Sequence, residues 1–341
     1  MRAMGTRSYD AAAAAIRSSL TAGARDDQEL IRLASLAASS HNTQPWIFER
    51  ANGSILIRPD RSRRCPVVDP EDAHLYRSLG CAAENLIHAA SQQQLRASVD
   101  FDESLDSVVI HLEPAADVEP TEMSAALTTR QCTRTAYDGR PVPDEELERL
   151  RAMGSSESIE CLIRTSSGDI EPIAELIDAG NRRQLGDKAW RGELVEWVRF
   201  NTTDALRRHD GLAGRVNAQP SLPTVLGRVL APLVIRAESQ VRTDRDRLQS
   251  SAGVAAFVAS EDSKASWVDA GRCYERFALQ ADLFGIRTAF INQPVEVADL
   301  RPRLEQLLDA EGAAQLLIRF GYADYAPYSL RRPVDEVTAV S

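Results

Sequence analysis

The run from Ser39 to Trp46, which reads Ser-Ser-His-Asn-Thr-Gln-Pro-Trp, constrains the fold of this chain more than any other segment. It joins a helix-like stretch at residues 29–38 to a strand-like stretch at residues 54–58. Its Ser, Asn and Gln side chains donate and accept hydrogen bonds at close range. Two interpretations stay open: an ordinary polar loop closed by a packing Trp, or a turn that binds the edge of a flat, polar heterocycle.

The same run resembles the Ser-Ser-x-Asn-x-Gln-Pro-Trp segment of FMN-dependent nitroreductases, and its His-Asn-Thr-Gln-Pro-Trp part is similar to the Acg-type branch of that superfamily. In the family this segment lies against the isoalloxazine ring. The resemblance therefore implies contacts to a bound FMN ring from Ser39, Ser40, Asn42 and Gln44. His41 lies inside the motif. It either donates protons to an acceptor or only caps the turn or packs.

Composition limits the other functions that this chain can have. The 341 residues carry a formal net charge of −10, which argues against a general nucleic-acid binder. No apolar stretch reaches the length of a membrane span, so we expect no membrane segment. The five cysteines form no Cys-x-x-Cys pair, which suits a reducing compartment, and we expect a cytoplasmic protein. The scattered histidines suggest no metal site.

Apolar periodicity predicts helices and strands that group into two lobes. The nitroreductase resemblance implies an α+β fold in which helices flank an antiparallel or mixed sheet in each lobe. We place an N-terminal arm at residues 1–24, a first lobe at 25–115 and a second at 122–341, joined by a linker rich in proline and acidic residues. Within the second lobe, residues 201–250 are too long for a plain connection and are either a lid over a ligand or a packing arm. The elements expected are helices at 27–38, 73–93, 267–284 and from 144 onward, and strands at 54–58, 108–112, 160–164, 253–259, 286–291 and 315–320.

The two lobes share a faint internal repeat, since residues 78–99 align without gaps on residues 269–290. Gly80 then meets Gly271, and Glu84 meets Glu275. Two amphipathic helices followed by strands would look alike in any case. The Acg-type resemblance nonetheless implies two half-lobes in one chain that form a nitroreductase-like pseudo-dimer. We accordingly expect a monomer that acts as an internal dimer and holds one FMN.

Arginines supply the predicted phosphate contacts, because guanidinium groups bind phosphate in a planar, bidentate way. Arg130 and Arg134 flank Cys132 in a segment that resembles the Arg-x-Ser-x-Arg/Lys phosphate motif of nitroreductases, with cysteine in place of the serine. Arg331 and Arg332 resemble the basic pair that ends these domains. The alternatives are a solvated surface turn and a basic tail with no partner.

The segment from Gly285 to Pro294 resembles the strand end of nitroreductases whose backbone N–H faces flavin N5. Asn292 and Gln293 stand where the family has Glu-Gly. A main-chain donor at Asn292 survives that change, because it needs no side chain. The resemblance thus implies Asn292 and Gln293 as further cofactor-binding residues.

Two functions are compatible with these motifs. The first is an FMN-dependent oxidoreductase of the nitroreductase type, which takes hydride from NADH, NADPH or a substrate and acts on a small aromatic, quinone-like or related molecule. The second is an FMN-binding protein that sequesters the flavin under a lid with little or no turnover. If residues 213–245 cover the open face of the ring, a nicotinamide cannot stack there, which favours the second function.

Overall fold

The structure is a computed structural model that describes residues 2–18, 25–216, 221–234 and 236–339. Parts of the predicted arm (residue 1 and residues 19–24) and of the predicted lid (217–220 and 235) lie outside this range. Helix α1 (Arg2–Ala15) opens the chain. Its Tyr9 is fully buried and donates a hydrogen bond to the carbonyl of Tyr328, so α1 packs against the C-terminal segment.

The first sheet is built from residues 46–114 and has the strand order β1-β2-β4-β3, with every pair antiparallel. A long helix, α3, connects β2 to β3 and buries its residues on nearly all sides. The short helix α2 precedes the sheet, and the side chain of Asp26 caps its first backbone N–H groups. The elements of this half are α2 (Asp27–Ala34), β1 (Trp46–Ala51), β2 (Ser54–Pro59), α3 (Ala73–Ser91), β3 (Leu95–Asp102) and β4 (Ser107–Pro114).

The second half begins with α4 (Asp144–Met153) and β5 (Ile159–Arg164). A largely helical insertion follows before the sheet resumes. The insertion contains α5 (Ser167–Gly186), α6 (Lys188–Trp197), β6 (Val198–Arg199), α7 (Thr202–Arg208), β7 (Leu212–Ala213), α8 (Thr224–Val234) and α9 (Ala237–Gln249). The remaining elements are β8 (Gly253–Ala259), α10 (Lys264–Leu283), β9 (Ile286–Phe290), α11 (Gln293–Glu296), α12 (Arg301–Leu308), β10 (Ala313–Tyr322) and α13 (Val334–Val337).

The two sheets have the same topology. The second sheet has the order β5-β8-β10-β9, all antiparallel, and a long helix (α10) connects its second strand in sequence to its third, as α3 does in the first sheet. Every residue of β8 is buried, as expected for a central strand covered on both faces. The shared topology supports the internal duplication that the repeat predicts.

The two long helices cross at their aligned glycines. A Cβ on Gly80 would lie 1.9 Å from the carbonyl oxygen of Val268, and a Cβ on Gly271 would lie 1.9 Å from that of Arg77. These contacts are reciprocal, because the repeat that aligns Gly80 with Gly271 also aligns Arg77 with Val268. A two-fold axis between related halves produces this pattern, as at the isologous interface of a dimer.

The C-terminal segment returns to the first half. The backbone N–H of Ala339 donates to the carbonyl of Phe48 in β1 at 2.8 Å. This return places Arg331 and Arg332 beside the loop that follows α2. Their placement decides their role, as described below.

Several elements differ from the expectations. Helix α2 ends at Ala34 rather than at residue 38, because the polar run already forms a 3₁₀ turn at Ser40–Asn42. The sequence patterns missed β1, β3 and helices α5, α6 and α7. Pro172 lies in the second turn of α5, and charged residues face solvent along much of that helix, so its apolar spacing is short and interrupted.

Candidate functional site

A cavity of about 590 Å³ brings together residues from both halves and from the insertion. This volume lies in the range of sites that hold small molecules and cofactors. Its lining contains both polar and apolar side chains. The residues that line it include Ser39, Ser40, His41, His74, Arg77, Arg134, Asn181, Gln184, Phe200, Leu222, Gly227, Leu230, Ala231, Arg247, Asn292, Gln293 and Glu296.

The loop that follows α2 has an unusual backbone. His41, Asn42 and Gln44 have φ angles of 48°, 55° and 53°, in the left-handed region that residues other than glycine rarely adopt. Such conformations cost about 1–3 kcal/mol each and persist only where surrounding contacts hold them. Three of them within four residues indicate that the loop is held in this shape by the rest of the protein.

Side chains of the loop itself provide those contacts. Asn42 Nδ2 donates to the carbonyls of Gly211 and Leu330, at 3.1 and 3.2 Å. Gln44 Nε2 donates to the carbonyl of His209 at 2.9 Å, and its Oε1 accepts from the backbone N–H of Arg332. Asn42 and Gln44 therefore bind the insertion and the C-terminal segment. Of the motif residues 39–46, Ser39, Ser40 and His41 line the cavity.

His41 is neutral at physiological pH. Burial and the positive charge of Arg134 lower the pKa of its imidazole to about 4. Its Nδ1 lies 3.4 Å from Ser40 Oγ and 3.9 Å from Cys65 Sγ. An imidazole in this state can donate or accept one hydrogen bond, but it cannot serve near pH 7 as a protonated, cationic acid.

The structure separates the four predicted phosphate ligands. Arg134 lines the cavity, and Arg247 from α9 joins it there. Arg130 lies in the core, where its Nε is 2.9 Å from Glu275 Oε1 and its second amino group donates to the carbonyl of Leu36. Arg130 is 3% exposed, so it is committed to that ion pair.

Arg331 and Arg332 also bind other groups of the protein, outside the cavity. Arg331 donates to the carbonyls of Ser35, Leu36 and Ala37 and to Asn42 Oδ1. The carbonyls at the end of a helix lack partners within it, and a guanidinium group can satisfy several of them at once. Arg332 donates to the carbonyl of Glu336 at 2.6 Å. Neither these two residues nor Arg130 and Cys132 line the cavity, and the sulfur of Cys132 lies 3.6 Å from the hydroxyl of Tyr274.

The end of β9 meets the cavity through Asn292 and Gln293. Asn292 Oδ1 accepts from the backbone N–H of Leu317 at 2.8 Å, which anchors the strand end to β10. Among the described residues, no hydrogen bond donated by the backbone N–H of Asn292 is found. Gln293 Nε2 lies 3.2 Å from Asn181 Oδ1 and from Asp244 Oδ2, and its Oε1 is buried without a partner.

Part of the predicted lid supplies apolar lining residues of the cavity. Gly227, Leu230 and Ala231 of α8 line it, together with Phe200 and Leu222. Val225 and Val229 on the outer face of α8 are 79% and 63% exposed. Helix α8 thus lies between the cavity and solvent.

The sequence patterns missed a polar cluster in the same cavity: His74, Arg77, Gln184 and Glu296. These residues come from α3, α5 and α11, so no local pattern links them. The one available signal was the position of Glu296, four residues after the predicted Asn292 contact. No grouping of His, Cys, Asp and Glu that could hold a metal ion is found among the described residues, and none of their helices is long and apolar enough to cross a membrane.

Comparison with known proteins identifies relatives that match along nearly the whole chain. "Putative NAD(P)H nitroreductase Rv3131" of Mycobacterium tuberculosis is 26% identical over 331 residues, which cover 91% of each chain. "Putative NAD(P)H nitroreductase acg" of the same organism is 24% identical over 319 residues, covering 90% of this chain and 93% of the relative. The chain resembles the Acg-type nitroreductases. The resemblance drawn from the motifs is confirmed.

Matches among solved structures also carry nitroreductase names. A putative nitroreductase from Anabaena variabilis matches 80% of this chain and 69% of its own, at 10% identity and a TM-score of 0.46. The FMN-dependent nitroreductase NfnB from Mycobacterium smegmatis, in complex with NADPH, matches 63% of this chain and 96% of its own, at 15% identity and a TM-score of 0.40. These TM-scores are too low for a residue-by-residue comparison with this chain. No family model matches the chain.

Proposed function

We propose that this protein is an FMN-dependent oxidoreductase of the nitroreductase type that acts on a small aromatic, quinone-like or related substrate. One observation carries the proposal. The cavity joins the Ser39–His41 loop of the first half to the backbone N–H of Asn292 in the second half, which donates to no described acceptor. The names of the M. tuberculosis relatives support the same activity.

The residues that line the cavity fit the parts of FMN. Hydroxyl groups of Ser39 and Ser40 would bind the polar edge of the ring, and the N–H of Asn292 would face N5. Arg134 and Arg247 would bind the phosphate, because guanidinium groups make charge-assisted bonds to it. FMN supplies the hydride chemistry when bound, and the protein supplies orientation and electrostatics. NADH or NADPH is the proposed hydride donor.

Arg134→Gln tests the phosphate assignment. We expect the purified variant to lose most of its flavin, since charged hydrogen bonds contribute about 1.5–3 kcal/mol each. Arg242→Gln, on the exposed face of α9, is the matched control and should keep its flavin. A full complement of flavin in Arg134→Gln would contradict the assignment.

Anaerobic mixing with NADH or NADPH tests the reaction itself. Bleaching of the flavin absorbance by a nicotinamide, followed by recovery of colour with a quinone or nitroaromatic acceptor, is the expected result. Flavin that stays oxidised with both nicotinamides and with reducing substrates would contradict the oxidoreductase.

The second candidate function is storage of FMN with little or no turnover. The position of α8 favours it, because Gly227, Leu230 and Ala231 cover the cavity. In this case a nicotinamide cannot stack on the ring while α8 stays in place. Reduction that occurs only in variants with a displaced α8 would favour storage over catalysis.

The organisation of the whole molecule belongs to the same proposal. The two half-lobes, at 25–115 and 122–341, would form a monomer that acts as an internal dimer, with the insertion as its lid. A cytoplasmic location is supported by the five cysteines, which are all free.

A further inference from the structure

A series of polar contacts leads from α3 to Glu296 at the cavity wall. An Arg77 amino group lies 3.0 Å from His74 Nδ1, and His74 Nε2 lies 3.5 Å from Glu296 Oε1. The other carboxyl oxygen of Glu296 accepts from Gln184 Nε2 at 2.7 Å. His74, Arg77 and Gln184 are buried, whereas the side chain of Glu296 keeps 16% exposure.

The order of donors and acceptors assigns the tautomer of His74. A guanidinium group has only donors, so His74 Nδ1 must accept from Arg77 and carries no proton. A neutral His74 therefore holds its proton on Nε2, which faces Glu296. The imidazole positions the carboxyl group and leaves it as the member of the cluster able to release a proton into the cavity.

The surrounding charges favour a protonated carboxyl. Burial, the largest cause, and the negative charges of Asp69 and Glu193 raise the pKa of Glu296 to about 7, whereas the bond from Gln184 and the charge of Arg77 act in the opposite direction. Burial, the largest cause, and the positive charges of Arg77 and Arg301 hold the pKa of His74 well below its usual range. Near pH 7 the carboxyl group of Glu296 is therefore about half protonated, and the imidazole behind it is neutral.

Glu296 also lies close to Asn292, the residue proposed to face flavin N5. It follows Asn292 by four residues, and its backbone N–H donates to the carbonyl of Asn292 at 2.9 Å, so the two residues share one turn of α11. Both line the same cavity. One helical turn therefore rigidly joins Asn292, which is expected to face the hydride-transfer site, to the carboxyl group of Glu296.

We propose that Glu296 is the catalytic acid that protonates the substrate after hydride transfer, and that His74 is a positioning residue that orients its carboxyl group. This inference rests on the proposed function. A quinone or aromatic carbonyl that accepts a hydride gains two electrons and becomes anionic on oxygen. The O–H bond of Glu296 breaks, a new O–H bond forms on the substrate, and the carboxylate then regains a proton from water.

Glu296→Gln keeps the shape and the bond from Gln184 but cannot give up a proton. Turnover should be compared with a quinone, which needs a proton, and with ferricyanide, which takes electrons alone. General acids contribute about 10²–10⁴-fold, so we expect the quinone-to-ferricyanide ratio of rates to fall at least about 100-fold. Glu311→Gln, at an exposed position, is the control and should leave the ratio unchanged.

An unchanged ratio of rates in Glu296→Gln would overturn the assignment, even if both rates fall by the same factor. A wild-type protein that reduces neither acceptor would instead contradict the proposed function. These two failures are therefore distinguishable.

A second readout does not depend on turnover. The chain has five histidines, so ¹⁵N-labelled histidine gives few resonances, and His74→Gln assigns one of them. We expect His74 to be the neutral Nε2–H tautomer at pH 7, with a chemical-shift change near pH 7 that disappears in Glu296→Gln. An Nδ1–H tautomer, or a titration that persists in that variant, would contradict the proton-holding pair.

Discussion

At the scale of single residues, similar arginines have different roles because their surroundings differ. Arg130 is paired with Glu275 in the core, and Arg134, four residues later, lines the cavity. Removing one partner of a buried ion pair leaves the other charged and without compensation, which costs about 3–5 kcal/mol. An exposed arginine contributes far less, because solvent screens its charge.

We therefore expect Arg130→Gln to lower the free energy of unfolding by about 3 kcal/mol, measured by urea denaturation. The double variant Arg130→Gln, Glu275→Gln should recover part of this loss, because no unpaired charge remains. Arg242→Gln, at an exposed position of α9, is the comparison and should leave stability nearly unchanged. The interpretation fails if Arg130→Gln unfolds like the wild type and only loses flavin.

Glu296 predicts a pH-dependent stability. Its pKa is raised from 4.5 to about 7 in the folded protein, so the folded state binds more protons than the unfolded state between these values. The contribution of this group is therefore fully present below about pH 4.5 and is lost as pH rises through about 7. Glu296→Gln does not titrate.

Relative to the wild type, Glu296→Gln should gain about 2–3 kcal/mol of stability between pH 5 and pH 8. Thermal unfolding of both proteins across this range measures the difference. Parallel stability curves would show that the carboxyl has an ordinary pKa in the folded state.

At the scale of elements, the crossing of α3 and α10 depends on the absence of side chains at Gly80 and Gly271. A Cβ at either position would lie 1.9 Å from a backbone oxygen, so the helices must separate. We expect Gly80→Ala to lower the free energy of unfolding by about 1–3 kcal/mol or more, as overpacking of a core does. Chemical denaturation measures this loss.

Gly192→Ala in α6 is the matched control, because a Cβ at that position would have no neighbouring atom within 4 Å. Alanine has the higher helix propensity, so this variant should gain up to about 1 kcal/mol. Equal effects of the two substitutions would contradict a close crossing at Gly80.

The packing of α8 leaves no room for a side chain at Gly227. A Cβ on Gly227 would lie 2.4 Å from ring atoms of Phe200. We expect Gly227→Ala to move α8 outward, so that flavin dissociates several-fold faster, as followed by recovery of free-flavin fluorescence on dilution. Val225→Ala, on the exposed face of α8, should leave the rate unchanged, and equal rates in all three proteins would argue against a lid.

At the scale of the whole molecule, two sheets of the same topology make the single chain resemble a dimer. The Ser-Ser-His-Asn run occurs only in the first half, so the related position in the second half lacks it. We expect sedimentation at the monomer mass of 37.5 kDa, with one flavin per chain by absorbance. Two flavins per chain would contradict this asymmetry.

Elements with a regular periodicity and complete burial could be predicted from the amino-acid sequence. Strand β8 lies at 253–259 as predicted, and α3 and α10 follow the predicted helices closely, because each presents an unbroken apolar pattern. The sequence also indicated the loop after α2 and the strand end at Asn292, which both line the cavity. Irregular or solvent-facing elements such as α5 carry weaker patterns and were missed.

The choice of polar residues that face the cavity depends on tertiary packing. Arg130 and Arg331 look like anion ligands in the sequence, but buried carbonyls and Glu275 need partners, and these arginines supply them. His74 and Glu296 are far apart in the chain and meet because α3 and α11 border one cavity. The type of a residue determines which hydrogen bonds and ion pairs its side chain can form. The packing of elements that are distant in the chain determines which of these bonds the side chain does form.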